Sequence, residues 1–440
     1  MTNSTQSPQH SGSPRRQSRA PRRRRVPAAL GGAAAAVAFG AAAGCLATAL
    51  PGTAAAASAP SRSSQTAQLA ALAQQEVAAG APGVIASVSD GNGSAIQIAR
   101  QASWTKADGT LTANDQFRMG SNTKTMVATV IMQLVAEHRL ALTDPVAKWL
   151  PGLIPDGQAI TIRMLLNHTS GLFDYLQDPA VLKAFTGRDT RAWTPLQLLA
   201  AGVSHKPLFA PGKEYSYSNT NYLALGLVAQ KVTGQSLAEL IKQRIIEPLG
   251  LKSTYLVTGF PAPGDARLAN GYEPDAARLA PLLPSYAAPG TSFAGPARGP
   301  WADTTWVNTS TEWAAGGMVS TPADWARFQS ALLSGRLLPP AQLKEMETTV
   351  SEGAGMPVRS GLGLEKTVTP CGTVWGHTGE VPGYSSWDYT DGTGQRTASV
   401  IVTTIFGIGT PKAAAATQTL INAAVCTMFD KPVPAAATTG

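Results

Sequence analysis

Charge is scarce in this chain. Of its 440 residues only 14% are Asp, Glu, Lys or Arg, while 44% are hydrophobic. A chain of this length and composition can bury a large core, which excludes a disordered polyelectrolyte. Cysteine is scarcer still, with Cys45, Cys371 and Cys426 as the complete set. No CxxC or HExxH spacing occurs, so no metal site is expected. No dinucleotide loop, phosphate loop or internal repeat is present either, and no cofactor is expected.

Acidic residues are absent from the first 57 positions, whereas seven arginines fall between Arg15 and Arg25. Without them the formal net charge of +8 drops to +1. The basic balance therefore belongs to one end and gives no electrostatic case for a nucleic-acid partner. An Ala/Gly/Leu/Val run from Val26 to Leu50 follows, then Pro51-Gly52 and small residues up to Ala59. This order is that of a secretory signal cleaved after Ala57 or Ala59. The run is too poor in strongly apolar residues for a stable membrane anchor. The protein is expected to be secreted, and an oxidising compartment suits the remaining even pair of cysteines.

Strand-like runs cover Gly83 to Ser89 and Ala95 to Gln101, split by Asp90-Gly91-Asn92-Gly93. Further runs cover Leu362 to Val368, Thr373 to Gly376, Tyr384 to Tyr389 and Ala398 to Ile405. Between the two groups, helical spacing prevails: Ser121 to about Leu140, Tyr222 to Val232 and Leu237 to Ile246. Residues 256–312 read as long loops rich in Pro, Gly and Ala, and 412–428 as a closing Ala-rich helix. The expected layout is a signal peptide over 1–57, a linker over 58–66 and a flexible tail over 429–440. Segments 67–120 and 351–428 form a sheet-containing α/β unit, into which a mostly helical unit, 121–350, is inserted. A cleft at their seam is the natural place for a site.

Three short motifs could supply its chemistry. Ser121-Asn122-Thr123-Lys124 opens the long helix, where residues i and i+3 share a face, so the amine can activate the hydroxyl. A second match, Ser103-Trp104-Thr105-Lys106, runs into the turn Asp108-Gly109 with no helix behind it. Tyr217-Ser218-Asn219 offers a phenol for proton relay and an amide for a substrate carbonyl. His377-Thr378-Gly379 lies in a strand context, where backbone N–H groups can bind substrate or an oxyanion. His168-Thr169-Ser170-Gly171 is superficially similar but falls in a loop, and His168 is assigned to loop packing.

In this order and these contexts, the three motifs resemble those of the serine β-lactamase and penicillin-binding family, above all the secreted actinomycete D-alanyl-D-alanine carboxypeptidases. The likeness runs from about residue 65 to 428 and includes Leu165-Leu166-Asn167-His168-Thr169-Ser170-Gly171-Leu172 and Gly361-Leu362-Gly363-Leu364. It implies an α/β (α+β) fold of the β-lactamase/transpeptidase type, an antiparallel sheet flanked by helices plus an inserted helical domain. It implies Ser121 as nucleophile, with Lys124 and Tyr217 sharing acid and base work and His377 relaying a proton. Asn219 would hold the acyl amide and Thr378 a distal carboxylate. Gly379 would allow close approach, Ser121 and Glu380 N–H groups would form the oxyanion hole, and Trp313 would wall the cleft. It also implies a Cys371–Cys426 disulfide. Peptidoglycan peptides, small esters or amides would be substrates of a monomeric enzyme, and β-lactams covalent ligands.

Two positions depart from that pattern. Glu365 stands where the similar peptidases carry Arg, and Glu380 where a small or hydroxylic residue is usual. Lys366 is adjacent, but alternation turns it to the other sheet face. The leading expectation is a D-alanyl-D-alanine carboxypeptidase. An esterase or D-amino-acid amidase is the alternative these acids favour, and a class C-like β-lactamase ranks below both because His377 replaces the usual Lys.

Overall fold

The structure is a computed structural model that describes residues 61–259 and 267–433. The signal-peptide reading over 1–57 and the end of the tail, 434–440, lie outside the described residues.

Eight antiparallel strands form the main sheet. They are β1 (Gly83–Ser89), β2 (Ile96–Gln101), β3 (Val350–Ser351), β4 (Val358–Ser360), β5 (Glu365–Thr369), β6 (Gly372–Val381), β7 (Tyr384–Thr390) and β8 (Thr397–Val402), in the spatial order β2-β1-β8-β7-β6-β5-β4-β3. The first two strands thus pair with the last, Val84 opposite Val402, and both ends of the described chain build one sheet. Strand alternation divides side chains between two cores. Val84, Ala86, Val88, Ala398, Val400 and Val402 face one core, while Ile85 and Ile401 face the other.

The first core is closed by α1 (Arg62–Ala79) and by α4 (Pro411–Met428). α1 starts inside the expected linker, because Ser61 accepts a hydrogen bond from Ser64 N and caps it. The segment after α4 is held as well: Phe429 packs over Gly372 and Lys431 Nζ donates to Cys371 O at 2.7 Å. Phe429 and Lys431, at the start of the expected tail, thus contact the start of β6. A Cys371–Cys426 disulfide joins α4 to the start of β6. Closing a 55-residue separation would stabilise the fold by roughly 4 kcal/mol in the chain-entropy picture.

The second core lies between the sheet and the helical unit. Its centre is α2 (Thr123–Ala136), buried on nearly every side, packed against α3 (Asn219–Thr233). α2 is shorter than the Ser121–Leu140 run suggests. A 3₁₀ turn over Gly120–Asn122 precedes it, and His138, at φ 57°, ends it. The long loops of 256–312 carry a small sheet of Tyr272–Pro274, Ala297–Arg298 and Trp301–Asp303. Among the described residues no helix is long and apolar enough to cross a membrane.

Candidate active site

Ser121 sits in the 3₁₀ turn at the head of α2, where the first N–H groups lack intrahelical acceptors. Two glycines bring this turn against β6. Gly120 has φ 53°, and a Cβ there would lie 2.5 Å from Glu380 N. A Cβ on Gly379 would overlap Met119 O and come within 2.9 Å of Asn122 Nδ2. Only with both side chains absent can Glu380 N approach the Ser121 turn. Glu380 N is thereby brought beside the turn that carries Ser121 N, a placement that suits an oxyanion hole.

Lys124 is completely buried and reaches back one turn to Ser121 Oγ, 2.8 Å from Nζ. Nζ also donates to Asn219 Oδ1 at 2.8 Å and Ala315 O at 2.7 Å. Burial lowers its pKa to about 7, while the charges of Asp174 and Glu365 work in the opposite direction. A neutral amine has two N–H groups and one lone pair. Asn219 Oδ1 and Ala315 O can only accept, so they take the two protons and leave the lone pair for the Ser121 hydroxyl. That arrangement suits proton abstraction from Ser121 by Lys124.

Tyr217 lies over this amine, its ring centroid 4.8 Å from Lys124 Nζ. Its hydroxyl is buried and makes no hydrogen bond of good geometry. Burial pushes its pKa well above 10, although the nearby Ser121 hydroxyl favours the anion. Tyr217 is thus a neutral phenol, suited to passing a proton rather than to acting as the resting base. His168 stacks on its ring at 4.3 Å. His168 Nδ1 accepts from Ser218 N at 3.1 Å, with Asn221 Nδ2 also at 3.1 Å. His168 is a packing residue, as its loop position suggests, but what it packs is the phenol of Tyr217.

His377 projects from β6 with its ring centroid 6.4 Å from that of Tyr217. Its Nδ1 donates to Thr378 O at 2.5 Å, and Nε2 lies 3.5 Å from Glu365 Oε1. Burial, reinforced by Lys124, lowers its pKa to about 3, so the imidazole is neutral. Burial and the charge of Glu352 raise Glu365 well above the usual carboxylate range. Glu352 in turn is 2.7 Å from Ser360 Oγ, its hydrogen-bond donor. Burial also raises Glu380 to about 7, with Glu273 adding to it.

Asn219 is fixed from behind. Its Nδ2 donates to Asp174 Oδ1 and Oδ2 at 3.2 and 3.0 Å, which leaves Oδ1 for Lys124. Asp174 comes from a loop 45 residues upstream, and no local pattern marks it as part of the site. The Ala315 carbonyl carries no side-chain signal at all.

The structure therefore gathers Ser121, Lys124, Tyr217, Asn219, His377, Thr378, Gly379 and Glu380. Only 8% of Trp313 is exposed, and its ring tip lies against Gly226 inside the helical unit. Tyr286, 38% exposed with its hydroxyl partly desolvated, lies near the site, its pKa raised to about 12 by that desolvation and by Asp174 and Glu380. The second SxxK match ends in a short 3₁₀ helix, Ser103–Asp108, away from these groups. Among the described residues no cluster of His, Cys, Asp or Glu is arranged to hold a metal ion.

Comparison with known proteins is consistent with this geometry. A family model described as beta-lactamase matches residues 69–423. Penicillin-binding protein 4* of Bacillus subtilis is 30% identical over 281 residues, 63% of this chain and 58% of that protein. Esterase EstB of Burkholderia gladioli is 37% identical over 155 residues, 33% of this chain and 39% of that protein. The chain thus spans well under two thirds of these relatives. A solved D-stereospecific amidohydrolase from Streptomyces sp. is 36% identical with a TM-score of 0.67, covering 78% of this chain and 95% of the other. A D-amino acid amidase from Ochrobactrum anthropi SV3 is 26% identical with a TM-score of 0.68, covering 82% and 96%.

Proposed function

From the premise that this chain belongs to the β-lactamase family, in which serine hydrolases act through an acyl-enzyme, we propose that it hydrolyses amides or esters of D-amino acids that lack a free terminal carboxylate. One observation carries this reading. Among the described residues, no Lys or Arg other than Lys124 makes a hydrogen bond, ion pair or ring contact with Tyr217, His377, Glu365 or Glu380, and Lys124 is committed to Ser121, Asn219 and Ala315. A substrate carboxylate would meet two acids and find no free counter-ion. The D-configuration rests on the two amide-hydrolysing neighbours.

In this mechanism Lys124 takes the Ser121 proton as Oγ attacks the carbonyl. The N–H groups of Ser121 and Glu380 hold the oxyanion. Tyr217, with the neutral His377 beside it, hands the proton to the leaving amine or alcohol. Water then repeats the sequence on the ester of Ser121 and releases the acid. The leader-like pattern and the Cys371–Cys426 pair support action outside the cell.

Carboxypeptidase action on D-alanyl-D-alanine peptides is the second reading, favoured by the 281-residue match to a penicillin-binding protein. Release of ammonia from D-amino-acid amides, measured against release of D-alanine from a D-alanyl-D-alanine peptide, decides between them. The amide should be the better substrate by kcat/KM, and Ser121→Ala should abolish both activities. Preference for the peptide overturns the first reading.

A further inference from the structure

Glu380, whose N–H lies beside the Ser121 turn, carries a carboxyl group for which no described residue supplies a partner. β5 pairs with β6 only as far as Glu365 opposite Gly376. From His377 to Val381, β6 is paired on one side, with Tyr384–Asp388, and among the described residues its other edge has no strand. Thr378 N–H lies near enough to the Glu365 carboxyl to favour its ionised form, which sets that N–H toward the open edge. Two residues on, Glu380 N–H points the same way, toward the Ser121 turn.

A substrate carbonyl polarised by Glu380 N–H would place its residue opposite Glu380 in antiparallel register. In such a pair the same two residues exchange both hydrogen bonds. The substrate's own α-nitrogen would then lie at Glu380 O, on the edge beside the Glu380 side chain. No side chain or backbone group donates to that carboxyl among the described residues, and the charged group that influences it is another acid, Glu273. Glu273 is itself saturated, by the N–H groups of Gly383, Ile405 and Phe406 and by Thr404 Oγ1. Glu380 is half-buried and close enough to the exposed Tyr286 to influence its ionisation.

We infer that Glu380 is the counter-ion for a free α-ammonium on the residue whose carbonyl Ser121 attacks, so that this enzyme selects N-terminally unblocked aminoacyl substrates. This inference rests on the acyl-enzyme reading above and names the substrate class within it. An ammonium has three donors. It would meet Glu380 O and the carboxylate together, whereas an acylated nitrogen has one N–H and no charge to offer.

The test is a matched pair, D-phenylalanine methyl ester and its N-acetyl counterpart, assayed at pH 7 on the mature enzyme, Glu380→Gln and Glu380→Asp. The wild type should favour the free ammonium in kcat/KM, chiefly through KM. Glu380→Gln should cut that preference by about 10- to 100-fold, as loss of one charge-assisted contact predicts. Glu380→Asp should keep most of it. A wild type that prefers the acetylated ester, or a preference unchanged within twofold in Glu380→Gln, overturns the inference and leaves the acyl-enzyme reading standing. If neither ester is turned over while penicillin still acylates Ser121, the substrate reading fails, and this inference with it.

Discussion

Asn122 donates through Nδ2 to Asp388 Oδ2 at 3.0 Å, and so ties the residue after the nucleophile to the middle of β7. The same nitrogen donates to Ser386 Oγ at 2.9 Å. To reach them the side chain passes Gly379, where a Cβ would sit 2.9 Å from Nδ2. The serine turn, the oxyanion strand and its neighbour are therefore locked by one buried amide. Asn122→Ala should lower kcat more than it changes KM and should cost about 1–3 kcal/mol of stability, seen in a denaturant titration. Gly379→Ala should lower kcat about a hundredfold or more by driving β6 off Met119 O. An Asn122→Ala enzyme with unchanged kcat and midpoint would show that the lock is dispensable.

The pH dependence of kcat should report Lys124. As a base it must be unprotonated, and burial lowers its pKa to about 7. Activity should therefore rise with pH through about 7 and level off above it, far below the ordinary lysine range. His377, lowered to about 3, is neutral across this window and contributes no limb. The limb should persist in His377→Asn and Glu380→Gln. It should move to lower pH in Asp174→Asn, because the Asp174 charge holds the lysine pKa up. Loss of the limb in His377→Asn would transfer the base role away from Lys124.

Much of this arrangement was legible in the sequence, for identifiable reasons. Gly83–Ser89 has the bounds expected of it, because the whole strand is a compact β-forming run cut by a turn. Lys124 reaches Ser121 because helical spacing sets i and i+3 on one face. The strands Val350–Ser351 and Val358–Ser360 are too short to show any period. β6 runs through the His377-Thr378-Gly379 motif, as its strand context suggests, and on to Val381, because pairing with β7 overrides the weak strand propensity of Gly379 and Glu380. Asp174 and Ala315 serve Asn219 and Lys124 from distant segments, a relation made by tertiary packing alone. The contact of the Trp313 ring with Gly226 joins residues 87 positions apart and carries no local sequence signal.

Glu365 offers the sharpest test of substrate charge. It lies 3.5 Å from His377 Nε2 and is buried, with Glu352 as its acidic neighbour. Protonated, it offers a carboxylate one O–H donor but no positive charge, and when ionised it would repel one. Glu365→Arg places a permanent cation at the end of the open edge, where Glu352 can partly neutralise it and a peptide carboxylate can compete for it. The ratio of kcat/KM for a D-alanyl-D-alanine peptide to that for a neutral ester should rise by about tenfold, the worth of one modest charge pair. Esters carry no terminal charge, so the ratio separates recognition from any general loss of activity in the variant. A folded Glu365→Arg enzyme with an unchanged ratio would mean that the carboxylate of such peptides is read elsewhere, and the argument from missing counter-ions would fall.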